Sequence, residues 1–314
     1  MRYQILTTLA ALFIFSCVAN AQQEAGHAQN LMNMLRVNPA YAGYKETAVF
    51  TAFHRSQWVG FKGAPSTQTL SFDMPIKRGK FAWGGTINHD KIGPTSELSL
   101  MMDATARVQV NRTGFMSFGL KATASMFQTN FSDVTLTSTH YDQQDDFFSN
   151  NPQSVFMPNI GFGFFYHDRA HFVSVSVPRL LENQLDKKNS DAYAFSEGVV
   201  QPTAFLMAGK IWKIDRQFKF QPTLMMRATA NAPLSIGANA NLFIQDTFKV
   251  GAYYYYKEVA GAFIQYEVSK KLKFGYSVDV FAHRAITTNF GSHEIMASYQ
   301  LKAKRKRIVY PRYF

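Results

Sequence analysis

Long stretches of this sequence alternate between apolar and polar residues, which is the feature that most limits its possible folds. In residues 97–110, ELSLMMDATARVQV, apolar residues occupy every second position from Leu98 to Val110. The stretches 115–126, 271–281 and 294–301 repeat the pattern. Successive side chains of a β-strand point to opposite faces, whereas a helix would spread them around its circumference. The alternation therefore predicts strands with one apolar and one polar face.

The length and charge of these strands favour a membrane barrel over a soluble sandwich. Several reach the roughly 9–11 residues that a tilted membrane strand needs. Many also carry charge on the polar face, which the dry inner faces of a sandwich would not accept. Aromatic residues make up 15% of the chain and charged residues only 17%. Since no apolar run reaches the ~18 residues of a membrane helix, we predict an all-β, transmembrane antiparallel β-barrel.

The alternation and the connections between strands indicate about 14 strands. Tight polar turns alternate with connections that include two long loops, at 130–154 and 179–200. Outer-membrane barrels alternate short periplasmic turns with longer outer loops in this way, and an even strand number places both termini in the periplasm. The candidate strands are 48–58, 67–75, 80–89, 96–110, 114–127, 155–167, 170–178, 201–212, 217–228, 234–245, 248–256, 260–268, 271–281 and 292–302.

The first residues have the features of a signal peptide. Arg2 precedes an apolar run at 5–18, and Ala19-Asn20-Ala21 provides the small residues of a signal-peptidase site. Lipidation at Cys17, the single cysteine of the chain, is the alternative. We predict a signal peptide at 1–21, an N-terminal periplasmic segment at 22–47, an outer-membrane barrel at 48–302 and a basic, aromatic periplasmic tail at 303–314.

The first predicted strand places Arg55 on its polar face. Arg55 and Gln57 share one face, and Trp58 belongs to the other, which suits a tryptophan at the membrane interface. A guanidinium keeps its charge, so Arg55 needs a partner inside the barrel, and Asp73 and Asp103 on nearby strands are candidates. The predicted lumenal structural residues are Arg55, Gln57, Asp73, Asp103 and Arg107.

The segment before this strand combines a turn with small residues. Asn38-Pro39 predicts a turn, and the small residues that follow allow the backbone to approach the barrel wall closely. We therefore predict a structured periplasmic segment that docks the chain to its barrel. Its residues are Asn38, Pro39, Ala40, Tyr41, Ala42 and Gly43.

An ordered set of short motifs resembles the PorP/SprF family of type IX secretion system membrane proteins of Bacteroidota. The motifs are NPAYAG at 38–43, RSQW at 55–58, GAP with a following Thr at 63–67, DMP at 73–75 and DKIG at 90–93, and the PRYF ending at 311–314 is also similar. One departure is Leu31, which stands where the family often has Tyr.

The resemblance implies a non-enzymatic outer-membrane barrel without a cofactor. Such a protein would bind periplasmic secretion machinery, or help exported proteins such as gliding adhesins reach or attach to the cell surface. Its expected partners are outer-membrane lipid, periplasmic type IX components and a large exported surface protein.

Charge differs between the two predicted ends of the barrel. The inner turns and the tail are basic and the longest outer loops are acidic, which suggests an acidic periplasmic partner. Alternatively, charged turns only keep the barrel soluble during assembly. The candidate docking residues are Lys304, Arg305, Lys306, Arg307, Tyr310, Arg312, Tyr313 and Phe314, and the candidate cargo contacts are Asp142, Asp145 and Asp146.

Three other functions are compatible with a barrel to different degrees. An enzyme is not expected, because the sequence has no GxSxG, HExxH or paired-cysteine motif, and His140 with Asp142 is the best-placed acid–base pair. The basic run 302–307 lacks an RNA-binding aromatic pattern, so no nucleic acid partner is expected. The alternative function is a passive channel for ions or small solutes. Its selectivity would depend on Arg107, Lys121, Lys210, Lys273 and Asp279, which would otherwise pair across the lumen or seat the N-terminal segment.

Overall fold

A computed structural model describes residues 32–76, 79–130, 153–184, 199–281 and 291–301. Within these ranges, fourteen long strands form one antiparallel sheet, in agreement with the predicted number. They are β1 (Val49–Ser56), β2 (Ser66–Ile76), β3 (Phe81–Ile92), β4 (Thr95–Gln109), β5 (Phe115–Thr129), β6 (Gln153–His167), β7 (His171–Val177), β8 (Thr203–Lys210), β9 (Phe218–Thr229), β10 (Ser235–Ile244), β11 (Phe248–Tyr255), β12 (Val259–Ser269), β13 (Leu272–Phe281) and β14 (Ser292–Gln300).

Shorter elements accompany the strands. Trp212–Lys213 continues β8 and pairs with β9, and Asn183–Gln184 pairs with Val199–Val200 in a separate two-stranded sheet. Two turns of 3-10 helix, Met34–Arg36 and Pro39–Tyr41, precede β1. No helix among the described residues is long and apolar enough to cross a membrane.

The sheet closes on itself, so none of the fourteen strands is left as an edge. Each strand pairs with the next along the chain, and β1 pairs with β14, where Arg55 lies opposite Glu294. Closure matters in a bilayer because hydrocarbon offers no partner to an unpaired backbone N–H or C=O group. The fold is therefore the predicted closed, antiparallel barrel.

The two faces of the wall follow the predicted alternation. Apolar side chains such as Leu98, Leu100 and Met102 point outward and are about half exposed, while Ser99, Asp103 and Thr105 point inward and are buried. One prediction was wrong. Lys210 is exposed on the outer face, where its ammonium lies 5.6 Å from the centre of the Trp212 ring.

The two ends of the barrel differ in their connections. The turn end carries Val49, where β1 begins, Gln300, where β14 ends, and tight turns such as 168–170, 245–247 and 270–271. The loop end carries the longer connections, including 57–65 and the described part of 178–202. The predicted signal peptide, tail docking residues and Asp142, Asp145 and Asp146 lie outside the described residues.

The N-terminal segment lies inside the barrel. Its described part, residues 32–48, contacts the inner faces of β2 to β7, and several of its residues, including Leu35, Asn38 and Ala40, are almost completely buried. This position differs from the predicted place on the periplasmic side of the barrel. The segment is short and rich in small residues, so it fits where a bulkier chain would collide with the wall.

Candidate functional site in the barrel lumen

Asn38 anchors the N-terminal segment to the inner wall. Its side-chain amide donates to the carbonyl oxygen of Phe164 at 2.9 Å and to the Ser174 hydroxyl at 2.7 Å. Its Oδ1 accepts from the backbone N–H of Ala40 at 2.8 Å and so caps the Pro39–Tyr41 turn. All the polar atoms of this amide side chain thus have partners, as a buried amide requires.

Asn33 has the same role one turn earlier. It caps the Met34–Arg36 turn by accepting from the N–H of Leu35 at 3.2 Å, and it donates to the Ser71 hydroxyl on β2 at 2.8 Å. Two asparagines therefore tie the segment to two separate strands of the wall, β2 and β7. Capping by a short polar side chain is the usual reason for Asn at the start of a turn.

Two glycines on the wall make room for this segment. A Cβ atom at Gly119 would overlap the backbone of Pro39 and Ala40, and a Cβ at Gly163 would overlap the Asn38 side chain. A glycine inside a strand often marks a place where another backbone approaches closely. The wall of β5 and β6 is therefore shaped to the NPAYAG stretch.

Polar groups of the wall hold the end of the stretch. Thr105 donates to the carbonyl oxygen of Pro39 at 2.7 Å, and the Arg107 guanidinium donates to the Gly43 carbonyl at 3.1 Å. The carboxylate of Asp73 accepts from the N–H of Gly43 at 2.8 Å. Asp73 and Arg107, predicted as lumenal residues, thus lie in the lumen and contact the segment.

Aromatic rings fill the remaining space between segment and wall. The rings of Tyr41 and Tyr44 stack at 5.1 Å, and both meet Phe165 edge-on at 5.5 and 5.7 Å. Tyr44 also contacts the His167 ring at 4.8 Å. Aromatic pairs in these geometries add roughly 0.5–1.5 kcal/mol each beyond simple burial. The segment therefore has a small hydrophobic core of its own inside the lumen.

A second group of charges closes the seam between β13, β14 and β1. Arg55 donates to Asp279 at 2.5 Å and to Glu294 at 3.4 Å, and all three side chains are at most 1% exposed. The Tyr253 hydroxyl also donates to Asp279. The predicted pairing of Arg55 with Asp73 or Asp103 was wrong, because barrel closure brings β13 and β14 beside β1.

Asp103 forms an ion pair with Lys121 and not with Arg55. Lys121 lies directly opposite it on β5, 2.8 Å away, and also donates to the carbonyl oxygen of Leu35 at 3.2 Å. This pair therefore links the wall to the N-terminal segment. Gln57 is buried, and its backbone N–H donates to the carbonyl oxygen of Pro65 at the loop end.

At the loop end, residues 178–181 fold against the inner face of β6. The Asn159 side chain accepts from the N–H groups of Leu180 and Leu181 and donates to the Leu181 carbonyl, at 2.7–3.0 Å. Arg179 pairs with Glu97 at 2.8 Å. Part of the loop-end opening is covered as a result.

A family comparison matches almost the whole described barrel. Residues 19–299 match the family model for "Type IX secretion system membrane protein PorP/SprF". The chain belongs to the PorP/SprF family. No curated protein matches the sequence.

Solved structures similar to this PorP/SprF protein include the KdgM porin, at 7% identity over 81% of this chain and 99% of that one, with a TM-score of 0.40. The CymD monoaromatic hydrocarbon channel matches at 13% identity over 90% and 94%, with a TM-score of 0.47. The P. putida toluene transporter TodX matches at 8% identity over 86% and 94%, with a TM-score of 0.45. The barrel assignment itself rests on the strand pairing described above.

The structure of this PorP/SprF protein adds groups that were not singled out from the sequence. Four of them contact a part of the chain that lies against the inner wall, either residues 32–48 or residues 178–181: Gly119, Gly163, Asn159 and Ser174. Their inward positions follow from strand parity alone. What parity does not indicate is that another part of the chain occupies the lumen. No group of three or more His, Cys, Asp or Glu side chains in the described ranges is arranged to hold a metal ion.

Proposed function

We propose that this protein is a non-conducting outer-membrane adaptor of type IX secretion. The observation that carries the proposal is the occupied lumen, in which residues 32–48 are hydrogen-bonded to β2, β4, β5 and β7. A passive pore needs a continuous water path, whereas an adaptor needs a rigid wall that presents surfaces at both ends. The protein is not an enzyme in this proposal.

In this proposal the turn end faces the periplasm and carries both termini. Its turns hold Arg112, Arg169, Arg216, Lys270 and Lys271, which suit a partner with acidic surfaces. The tail would extend the contact to periplasmic type IX components through its basic and aromatic residues. These are Lys304, Arg305, Lys306, Arg307, Tyr310, Arg312, Tyr313 and Phe314.

The loop end would then face the outside of the cell, and lipid would surround the apolar wall. Asp142, Asp145 and Asp146 would contact a large exported surface protein, such as a gliding adhesin, as it reaches or attaches to the surface. Nucleic acid has no role in this proposal.

The proposal is tested by purifying the protein in mild detergent from native outer membranes and examining one preparation in two ways. Mass spectrometry should identify periplasmic type IX components or one large surface protein, and planar-bilayer recordings should show a silent lumen. A solitary protein with steady ion conductance would instead establish the passive channel and overturn the adaptor.

Two variants locate the docking surface. One variant lacks residues 302–314, and the other carries reversed charges at Arg112, Arg169 and Arg216. Each should reduce recovery of the periplasmic components. Charge reversal of Lys62 and Lys91, which are exposed at the loop end, is the control and should leave recovery unchanged. If the complexes survive both turn-end changes together, docking through this surface is refuted.

A further inference from the structure

A cavity of about 330 Å³ opens at the turn end, beside the N-terminal segment. On one side it is bounded by Met32, Met34 and Tyr41, and on the other by the inner faces of β10 to β14 and β1. The turns 245–247 and 270–271 form its rim, so within the described part of the chain it faces out of the barrel. We call it the mouth cavity. Its volume is at the lower end of the range for ligand sites.

The mouth cavity has more cations than carboxylates. Its five lysines are Lys45, Lys249, Lys270, Lys271 and Lys273, and its three carboxylates are Asp73, Asp246 and Glu267. Two of the carboxylates are engaged elsewhere. Asp73 accepts from Gly43, and Asp246 pairs with Lys219, with its two oxygens 2.5 and 2.7 Å from the ammonium.

Two of the lysines point into the cavity from the wall. Lys249 lies on β11 and Lys273 on β13, the two strands that pair with β12. Both side chains are on the inner face of the barrel wall. Glu267, between them, reaches Lys273 only at 4.0 Å. Among the described residues no ion pair involves Lys249. Its ammonium lies instead 5.1 Å from the Phe243 ring centre and 5.7 Å from that of Phe263.

An ammonium inside a protein is costly unless it is paired. Aromatic faces compensate for part of that cost, by roughly 0.5–2 kcal/mol. A second lysine on the same side of the cavity adds repulsion rather than relief. Glu267 reaches Lys273 only at 4.0 Å. A ligand carboxylate within hydrogen-bonding distance of both Lys249 and Lys273 would offset much of these two penalties, since charge-assisted hydrogen bonds are about twice as strong as neutral ones.

We propose that the mouth cavity binds a carboxylate side chain of an acidic peptide segment, held between Lys249 and Lys273. The apolar lining from Met34, Phe243 and Met296 suits aliphatic neighbours of that carboxylate. This lining distinguishes a peptide from a small hydrophilic anion, which would leave the apolar surface uncovered. The proposal deepens the proposed function, on which it rests for the source of the peptide, by naming the chemistry of the periplasmic partner.

The test uses the purified full-length barrel and a fluorescently labelled short peptide of alternating Leu and Glu. Polarisation titrations compare it with the matched Leu and Gln peptide, which keeps the shape and removes the charge. We expect the Gln peptide to bind at least about tenfold more weakly. Unlabelled glutarate, a free dicarboxylate without apolar side chains, should compete only weakly.

The double variant Lys249→Met/Lys273→Met removes the two cations and keeps most of the side-chain volume. We expect it to lose affinity for the Glu peptide by about tenfold and to bind both peptides alike. Lys62→Met/Lys91→Met, with both changes at the loop end, is the control. Heat-modifiable migration on a gel verifies that each variant is a folded barrel, and the peptide pair tests the wild type without any substitution.

Each result has a definite meaning. If the Glu and Gln peptides bind the wild type equally, or the double variant binds the Glu peptide as the wild type does, the cavity is not a carboxylate site. Glutarate competing as strongly as the peptide would contradict a peptide ligand. Recovery of type IX components from native membranes is scored separately, so the adaptor function can stand when the cavity proposal fails, and the reverse.

Discussion

Asn38 and Ser174 are hydrogen-bonded at 2.7 Å inside the barrel, although 136 residues separate them in the chain. Asn38 belongs to the segment before β1, and Ser174 points inward from β7. The bond therefore ties the segment before β1 to the sixth strand after β1. It gives residues 32–48 a fixed place in the lumen, from which substitutions should displace them.

Asn38→Ala should loosen the segment without opening the sheet. The change removes the bonds to Ser174 and Phe164 and the cap on Ala40, and each lost bond costs roughly 0.5–1.5 kcal/mol. Trypsin should then cleave after Arg36 faster than in the wild type, and bilayer recordings should show brief openings. Asn241→Ala, which removes a bond between neighbouring wall strands, should give neither effect. Unchanged cleavage in Asn38→Ala would contradict the anchoring role.

Gly119→Ala should displace the segment by overpacking rather than by loss of hydrogen bonds. The new Cβ would meet the backbone of Pro39 and Ala40, which cannot move aside as a side-chain end can. Overpacking of this kind typically costs about 1–3 kcal/mol. We expect increased tryptic cleavage and a measurable conductance.

Gly275→Ala is the matched control for this prediction. Its nearest neighbour would be the flexible end of Met296, at 3.0 Å. It should therefore give the slow tryptic cleavage and the silent bilayer recordings that we expect of the wild type. If both alanine variants behave alike, the close approach of the NPAYAG stretch to β5 is not what keeps the segment in place.

Arg55→Met should destabilise the seam where the barrel closes. It removes the guanidinium that pairs with the buried carboxylates of Asp279 and Glu294, a loss of roughly 3–5 kcal/mol for a buried pair. Urea titration followed by heat-modifiable migration should show this loss as a lower midpoint of unfolding. The triple variant Arg55→Met/Asp279→Asn/Glu294→Gln should recover much of the lost stability, because the two carboxylates that would lack their guanidinium partner are then neutral. Glu267→Gln changes a 4.0 Å pair whose side chains are about one-third exposed, so it should shift the urea midpoint little.

The turn that joins β6 to β7 should depend on pH. Burial alone would raise the pKa of Asp168, but hydrogen bonds from the N–H groups of Ala170 and His171, together with the His171 ring, hold that pKa below its usual range. A lowered pKa in the folded state means that the carboxylate stabilises the turn above the ordinary Asp pKa of about 3.9.

This stabilisation is lost as the pH falls through the lowered pKa. The amide proton resonances of Ala170 and His171 in detergent micelles should therefore move in the acidic range, with a midpoint below about pH 3.9. Asp168→Asn, which cannot titrate, should abolish that transition. A midpoint above the ordinary value would contradict the assignment.

Much of the architecture could be predicted from the sequence because a membrane strand carries its own pattern. The alternation around Leu98 and Asp103 specifies which side chains face lipid and which face inward. The turn positions then define the strand number. The inward position of Arg55 followed from the same parity, since a charged side chain cannot face hydrocarbon at low cost.

The predictions that failed involve relations between strands far apart in the chain. Arg55 was matched with Asp73 and Asp103 on strands that follow it, whereas closure brings Asp279 and Glu294 beside it. Lys210 is the exception, since it was placed inward although its parity with Phe205 and Met207 in the same strand puts it outside. The NPAYAG motif was expected at the periplasmic side, and seating of the N-terminal segment by lumenal charges was only an alternative, because strand periodicity describes the wall and not what fills it. The contacts of Arg107 and Lys121 with the segment agree with that alternative.

The sequence by itself thus determined the class of fold, the two faces of most strands and the family, because each depends on local order along the chain. Only the tertiary structure decided that the segment around Asn38 occupies the lumen, which carboxylates neutralise Arg55, and that Lys249 faces the mouth cavity in no ion pair with a described residue. The physical reason is that barrel closure sets these contacts. It joins β1 to β14 and brings groups more than a hundred residues apart within hydrogen-bonding distance.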